Sequence, residues 1–395
     1  MKISLFPDNV SSGSRSTVNL LYLFFCLVLF MNTRTGFITM ILLFSIASFV
    51  LLNLGRYFDK YARLILLYSL SYVVIMAMKG EYELTSILSD LIPPIIFYCF
   101  GRFMIGSYSD KEKIIPSLIL FVALSGAMVY YFTINDIRTT GAIISPVRAL
   151  QLYGDQGYEL GATGIGSCIC MGFCGLASFF LVKDKWQKFF FAVIFLCSLI
   201  TTFHMVNRTG LFISVISLVV VLMMYYNKNK KHLIFLLLLI VGLWFVVSSL
   251  GLFGGDVSMA YTERELDEGA SIAEGGARTN RWLYALSMIP AHPFGWSGGE
   301  YNYIHDMWLD VAKNTGWLPF LFLVVITFKE VKIVLKLIST KKDPVTGILL
   351  CLNICMLLNA LVEPIIGGFF FSMLCLWWGM QNQYYNTCLS YSQDT

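Results

Sequence analysis

Charge is what this sequence has least of. Only 13% of its residues are Asp, Glu, Lys or Arg, about half the ~25% of a soluble domain. That scarcity excludes a water-soluble globular enzyme. Histidine is rarer still, with four in 395 residues. Cysteine is present, but not where a disulfide framework needs it. Cys388 lies in the C-terminal tail, the others fall inside apolar runs, and none falls in a long polar loop. The cluster Cys168, Cys170 and Cys174 therefore reads as small apolar filler and not as a metal site. The net charge is only +4 and there is no basic stripe with interleaved aromatics, so nucleic acid is excluded as a partner. Fixed-period repeats and low-complexity tracts are also missing.

Apolar sequence is what remains, at 57% of the chain. Runs of 17 to 20 apolar residues recur along its length, each enough to cross a hydrocarbon layer of about 30 Å. They predict spans near 17–31, 37–53, 64–78, 86–104, 114–134, 164–182, 189–205, 210–226, 233–252, 317–336, 346–362 and 368–385. The fold class expected is an all-α integral membrane protein of about 12 transmembrane helices, a single polytopic domain over 1–395. No small-residue cleavage site follows the first run, so it reads as a transmembrane helix and not a removed signal.

Lys and Arg cluster in the short connectors RYFDKYAR, KDKWQK and NKNKK. By the positive-inside rule those segments and both termini are cytoplasmic. Two long loops then face outward: 135–163, with Arg138 and Arg148, and 253–316, between the ninth and tenth spans. The acidic run Glu263–Glu268 in the second loop reads as a solvated surface.

Candidate chemistry concentrates between Gly275 and Gly316. Arg278, Arg281, Trp282 and Ala285 share one helical face, on a helix starting near Thr279 or Asn280 and ending at Pro290. Two guanidiniums one turn apart at a helix N-terminus repel each other unless an anion lies between them. Arginine suits forked contacts to phosphate oxygens; contact with lipid headgroups or with the acidic run is the plainer alternative. A turn at Pro293–Gly299 leads to a second expected helix, about Tyr303 to Asn314. His305 would lie in its first turn, where the dipole favours neutral imidazole able to accept a proton; a surface histidine is the plainer alternative. Asp306 and Asp310, one turn apart, could orient a ligand or pair with Lys313. Arg208, Asp90 and Arg102 lie in or at the ends of apolar spans, where a charge is a functional candidate. Glu363, at an outer turn, is a weaker one.

These features in this order resemble the bacterial O-antigen polymerase and O-antigen ligase superfamily. The resemblance rests on many spans, Arg208 at an outer helix end, and then a large outer loop. That loop carries Arg278-x-x-x-Trp282, His292-Pro-Phe-Gly295, and His305 followed by a helix and Gly316. It covers roughly 200–320. One departure is Asp306, where the family often has Asn. The resemblance implies a GT-C-like, metal-independent glycosyltransferase of the bacterial inner membrane, without a cofactor. Its donor would be an undecaprenyl-diphosphate-linked oligosaccharide on the periplasmic face, and a chain-length regulator protein is a candidate partner. Arg208 and Arg278, with Arg281 beside them, would hold the donor diphosphate. His305 would take the acceptor proton, with Trp282, Asp306, Asp310, Arg148 and Asp90 as supporting candidates. An O-antigen polymerase is the first reading and an O-antigen ligase the second. A lipid-linked sugar transporter ranks lower, because such proteins show repeated halves and broken helices.

Overall fold

The computed structural model describes residues 5–34, 36–80, 82–145, 148–152, 158–226, 278–363 and 368–393. A helix stands at each expected span except 233–252, which lies outside the described residues together with the acidic run at 263–268. The helices are α1 (Ser12–Phe30), α2 (Phe37–Leu51), α3 (Lys60–Met78), α4 (Leu84–Gly106), α5 (Ile115–Thr140), α6 (Ala162–Ile169), α7 (Cys174–Leu181), α8 (Lys185–His204) and α9 (Arg208–Tyr226). After the undescribed stretch come α10 (Arg278–Met288), α11 (Met307–Thr315), α12 (Trp317–Thr340), α13 (Pro344–Val362) and α14 (Gly368–Gln393). Among the described residues, six helical stretches are long and apolar enough to cross a membrane. They are α3, α4, α5 with the turn before it, α6 joined to α7, α8 and α13. Shorter apolar helices occur at Ser14–Phe30, Phe37–Leu51 and Thr209–Val221.

Helix starts follow local chemistry. Asp59 accepts from the amides of Tyr61 and Ala62 to open α3. Asp184 does the same for α8 through Trp186, and Asp343 for α13 through Thr346. Each acid satisfies a donor that the first helical turn leaves open.

The core is aromatic and close-packed. The Phe25 ring lies 4.9 to 5.6 Å from Phe44, Phe97, Phe100 and Phe121. Trp377 and Trp378 are fully buried on α14. Helices α4 and α14 touch backbone to backbone. A Cβ on Gly101 would lie 2.2 Å from the Leu376 carbonyl oxygen, and one on Gly379 2.0 Å from that of Tyr98. Without a hydrophobic drive between helices in lipid, such close approach is a main source of packing energy. Leu20, Leu43, Val50, Met78 and Phe328 point outward, as a lipid-facing surface requires.

Regular structure enters the segment 135–163, expected as a loop. Helix α5 runs on to Thr140, and a two-stranded antiparallel hairpin follows, β1 (Ala149–Leu152) pairing with β2 (Tyr158–Gly161). The hairpin leads straight into α6.

Candidate functional site

The turn between α8 and α9 is held by the end of α5 and the segment that follows it. His204 is fully buried. Its Nδ1 lies 2.9 Å from the Ile143 carbonyl and its Nε2 2.8 Å from the Asp136 carboxylate. The Ser145 amide donates to the His204 carbonyl at 2.8 Å, and the Arg148 Nε to that of Met205 at 3.4 Å. Val206 is thereby held at φ 50°, a left-handed conformation that a β-branched residue adopts only when its surroundings impose it. Asn207 then accepts from the Gly210 amide and opens α9. Arg208 is the first residue of that helix; its side chain lies outside the described residues.

The residue after Arg208 reaches a buried acid. Thr209 donates its hydroxyl to Glu363 Oε1 at 2.9 Å, and Thr163 donates to Oε2 at 3.0 Å. A guanidinium nitrogen of Arg278 lies 3.5 Å from Oε1. Glu363 is only 6% exposed and caps the end of α13. Four elements, α6, α9, α10 and α13, therefore meet at one carboxylate. Its Arg278 contact is long, at the limit of a hydrogen bond, and leaves that guanidinium partly exposed.

Arg281 takes a different course. Its guanidinium lies 5.5 Å from the Tyr301 ring centroid, a cation–π contact, and its buried Nε has no hydrogen-bond partner among the described residues. The arginine pair is thus divided between an acid and an aromatic face. The apolar side of α10 explains the division: Trp282 and Ala285 pack with Trp296, Ile304 and Leu309 in a small core of their own. That core attaches α10 to the loop carrying His305.

The loop ends where two backbones touch. A Cβ on Gly316, at φ 78°, would lie 2.0 Å from the Pro293 carbonyl oxygen, and the Trp317 amide donates to that oxygen at 3.0 Å. The Pro-Phe-Gly turn and Gly316 are thus halves of one junction. The His292 Nδ1 donates to the Met288 carbonyl at 2.8 Å, at the end of α10.

The helix expected over Tyr303 to Asn314 is shorter and starts later. Helix α11 begins at Met307, with Asp306 as its N-cap accepting from the Leu309 amide at 2.8 Å. His305 stands before the cap at φ 63°, so it is not in the first turn. The reason is Asp310, whose carboxylate accepts from the Ile304 and Asp306 amides at 2.8 and 3.3 Å. It clamps the backbone on both sides of His305 and turns it out of helical geometry. Lys313 donates to the carbonyls of Tyr301 and Asn302 at 2.8 and 2.5 Å. Asp306 and Asp310 are thus occupied with backbone and hold His305 in place. Burial, with help from Asp310, pushes the Asp306 carboxyl up to about 7. Burial likewise raises Asp310 and lowers Lys313.

Asp90 is engaged elsewhere. It accepts from the Gly368 amide at 2.8 Å and the Tyr82 hydroxyl at 2.5 Å, tying α4 to the start of α14. Arg102 pairs with Asp59 at 2.8 Å and reaches Gln383 at 3.0 Å. The structure therefore brings together Arg278, the α9 start at Arg208, and Arg148 behind it. Arg281 and the loop carrying His305 are tied to α10 by the small core. Thr163, Thr209 and Tyr301 carry no sequence signal that would place them beside Glu363 and Arg281. For Glu363, an acid directly after an apolar span was the available signal.

Residues 190–324 match the family described as O-antigen ligase. The resemblance to the O-antigen polymerase and ligase superfamily holds over that stretch, which carries Arg208, Arg278, Arg281 and His305 and stops short of Glu363. No curated protein matches the chain.

Proposed function

We propose that the protein is an O-antigen polymerase, a twelve-span GT-C-like enzyme that joins undecaprenyl-diphosphate-linked repeat units on the periplasmic face of the inner membrane. In the reaction an acceptor hydroxyl oxygen attacks the anomeric carbon of the donor. The bond from that carbon to the diphosphate oxygen breaks, and its electron pair leaves with the diphosphate. The acceptor proton passes to the His305 ring. Arg208 and Arg278, with Arg281 at the edge, neutralise the leaving diphosphate, a role arginine fills by forked, charge-assisted hydrogen bonds and without a metal.

The observation carrying this reading is the convergence on Glu363. Arg278 and the helix start at Arg208 approach one point from different elements, and a guanidinium nitrogen of Arg278 lies 3.5 Å from the acid there. A diphosphate carries more charge than one carboxylate and offers several acceptor oxygens, so it can draw the guanidinium from Glu363. The neighbouring helix N-terminus of α9 favours the same anion. A ligase would use the same groups, and the matched family's description favours that second reading.

Lipopolysaccharide from a strain lacking this gene tests both. Core lipid bearing a single repeat unit, restored to long chains by the wild-type gene, is the result expected of a polymerase. Core lipid with no sugar unit, alongside accumulated lipid-linked polymer, replaces that reading with the ligase. Unchanged chains overturn both.

A further inference from the structure

Helix α10 buries only one of its sides. Ala285 is fully buried in the small core, with Trp282 packed against it. The opposite side is open and apolar at its centre. There Leu283 is 61% and Leu286 53% exposed, and just past the helix end Phe294 is 66% exposed. The two leucines, three residues apart, share one helical face. A surface helix in water carries its charged residues on that side. Here every exposed residue from Thr279 to Phe294 is uncharged, and the polar ones, Thr279, Asn280 and Ser287, are small.

The end of α10 is fixed to the start of α12, which is expected to cross the membrane. Trp317 opens α12. Its indole Nε1 donates to the Ile289 carbonyl at 2.5 Å, and its amide to that of Pro293 at 3.0 Å. From Trp317 the exposed side of α12 runs on through Leu318, Leu321, Val325 and Phe328, spaced as one helical face. The end of α10 therefore sits at the rim of a lipid-facing surface, the depth at which tryptophan collects. Charge points the same way. From Arg278 to Gly299 the chain has two arginines and no acid, the sign that lipid phosphates attract. Lys79, whose ammonium meets the Asn314 carbonyl at 2.7 Å, adds a third cation beside the Gly295 turn, which packs on Asn314.

We propose that α10 is an interfacial helix, lying in the headgroup layer of the leaflet at which α12 begins. Leu283, Leu286 and Phe294 enter the acyl boundary, and the bilayer itself covers the open side. Such a helix is held by its buried apolar area together with attraction to anionic lipid. The assignment does not depend on which reaction the protein catalyses.

The test reconstitutes the full chain in vesicles of phosphatidylethanolamine and phosphatidylglycerol. A trace of phosphatidylcholine carries a diazirine near the glycerol end of one acyl chain. Irradiation and peptide mass spectrometry then map the adducts. Those on 279–294 should match those on 317–328 and exceed those on the exposed turn 297–300 several-fold. Labelling of 279–294 no higher than of that turn would overturn the assignment. Leu283→Ser with Leu286→Ser leaves the small core untouched. It should lower the adducts on 279–294 and leave those on 317–328 unchanged, and undiminished adducts on 279–294 would count against the named face. Benzoylphenylalanine in place of Leu286 separates the possible occupants. Lipid adducts are expected; cross-links to a second copy or to another segment of the same chain, in place of lipid, would overturn the proposal.

Discussion

Glu363 and Glu330 are both buried acids, 6% and 1% exposed, but their surroundings differ in kind. Glu330, on α12, accepts from the side-chain amides of Gln381 at 3.1 Å and Asn382 at 2.9 Å. The network continues from Asn382 to the Tyr98 hydroxyl, and from there to Asp59 and Arg102. Glu363 instead has two hydroxyls and a distant guanidinium. The two amides of α14 hold it in register with α12, and the Asn382 Oδ1 has no hydrogen-bond partner among the described residues. The Arg278 guanidinium meets Glu363 at 3.5 Å, a distance at which a more highly charged anion competes for it. A satisfied buried polar network rigidifies the packing of the helices that contribute to it.

Substitutions can break or sharpen that contrast. The largest effect is expected from His305→Ala, which sets the scale for the Glu363 end. Loss of a general base costs about 10²–10⁴-fold in rate, read as polymer length at matched protein level in a null strain. Wild-type chains would make the histidine structural. Next comes Arg278→Lys, which keeps the charge and loses the fork. About 10²-fold is expected, as for removal of one donor to a developing anion, with membrane insertion unchanged. Normal chains from both this variant and Arg208→Lys would end the diphosphate assignment.

Glu363→Gln should cost about tenfold, the scale of one charge-assisted hydrogen bond, because Arg278 loses its anchor while the threonines keep an acceptor. At the other acid the readout changes. Glu330→Leu should leave activity per folded molecule unaltered and lower the melting temperature, since it strands two buried amides at about 1–3 kcal/mol each. Activity lost in proportion to Glu363→Gln would erase the distinction between the two acids.

Asp306→Asn should have the smallest effect. An amide oxygen still caps α11, and this restores the residue common in the resembling family. The sign is specific. The folded carboxyl titrates at about 7, above its ordinary 3.8, so the folded state holds the extra proton between those values. The resulting stability is present at low pH and lost as pH rises through 7. Melting temperature against pH should therefore fall less steeply between pH 4 and 7 in Asp306→Asn than in the wild type. Parallel curves would show that the carboxyl is not buried as described.

The helices were legible because each apolar run carries its own evidence. In hydrocarbon every backbone amide must be satisfied within the segment, so a long apolar run becomes a helix wherever it lies in the fold. Capping acids such as Asp59, Asp184 and Asp343 are local in the same way. The start of α11 was not legible, because Asp310 turns His305 left-handed through contacts that only the folded loop makes. The extension of α5 to Thr140 likewise has its tertiary anchor, the Asp136–His204 contact, 68 residues away.

By itself, then, the sequence determined the helical membrane architecture and the loop that carries Arg278, Arg281 and His305. Only the tertiary structure decided that Arg278 meets Glu363. The partners of that acid lie 85, 154 and 200 residues away along the chain. No periodicity reaches that far. Helix satisfaction is a property of neighbours in sequence, whereas a shared carboxylate is a property of how finished helices pack.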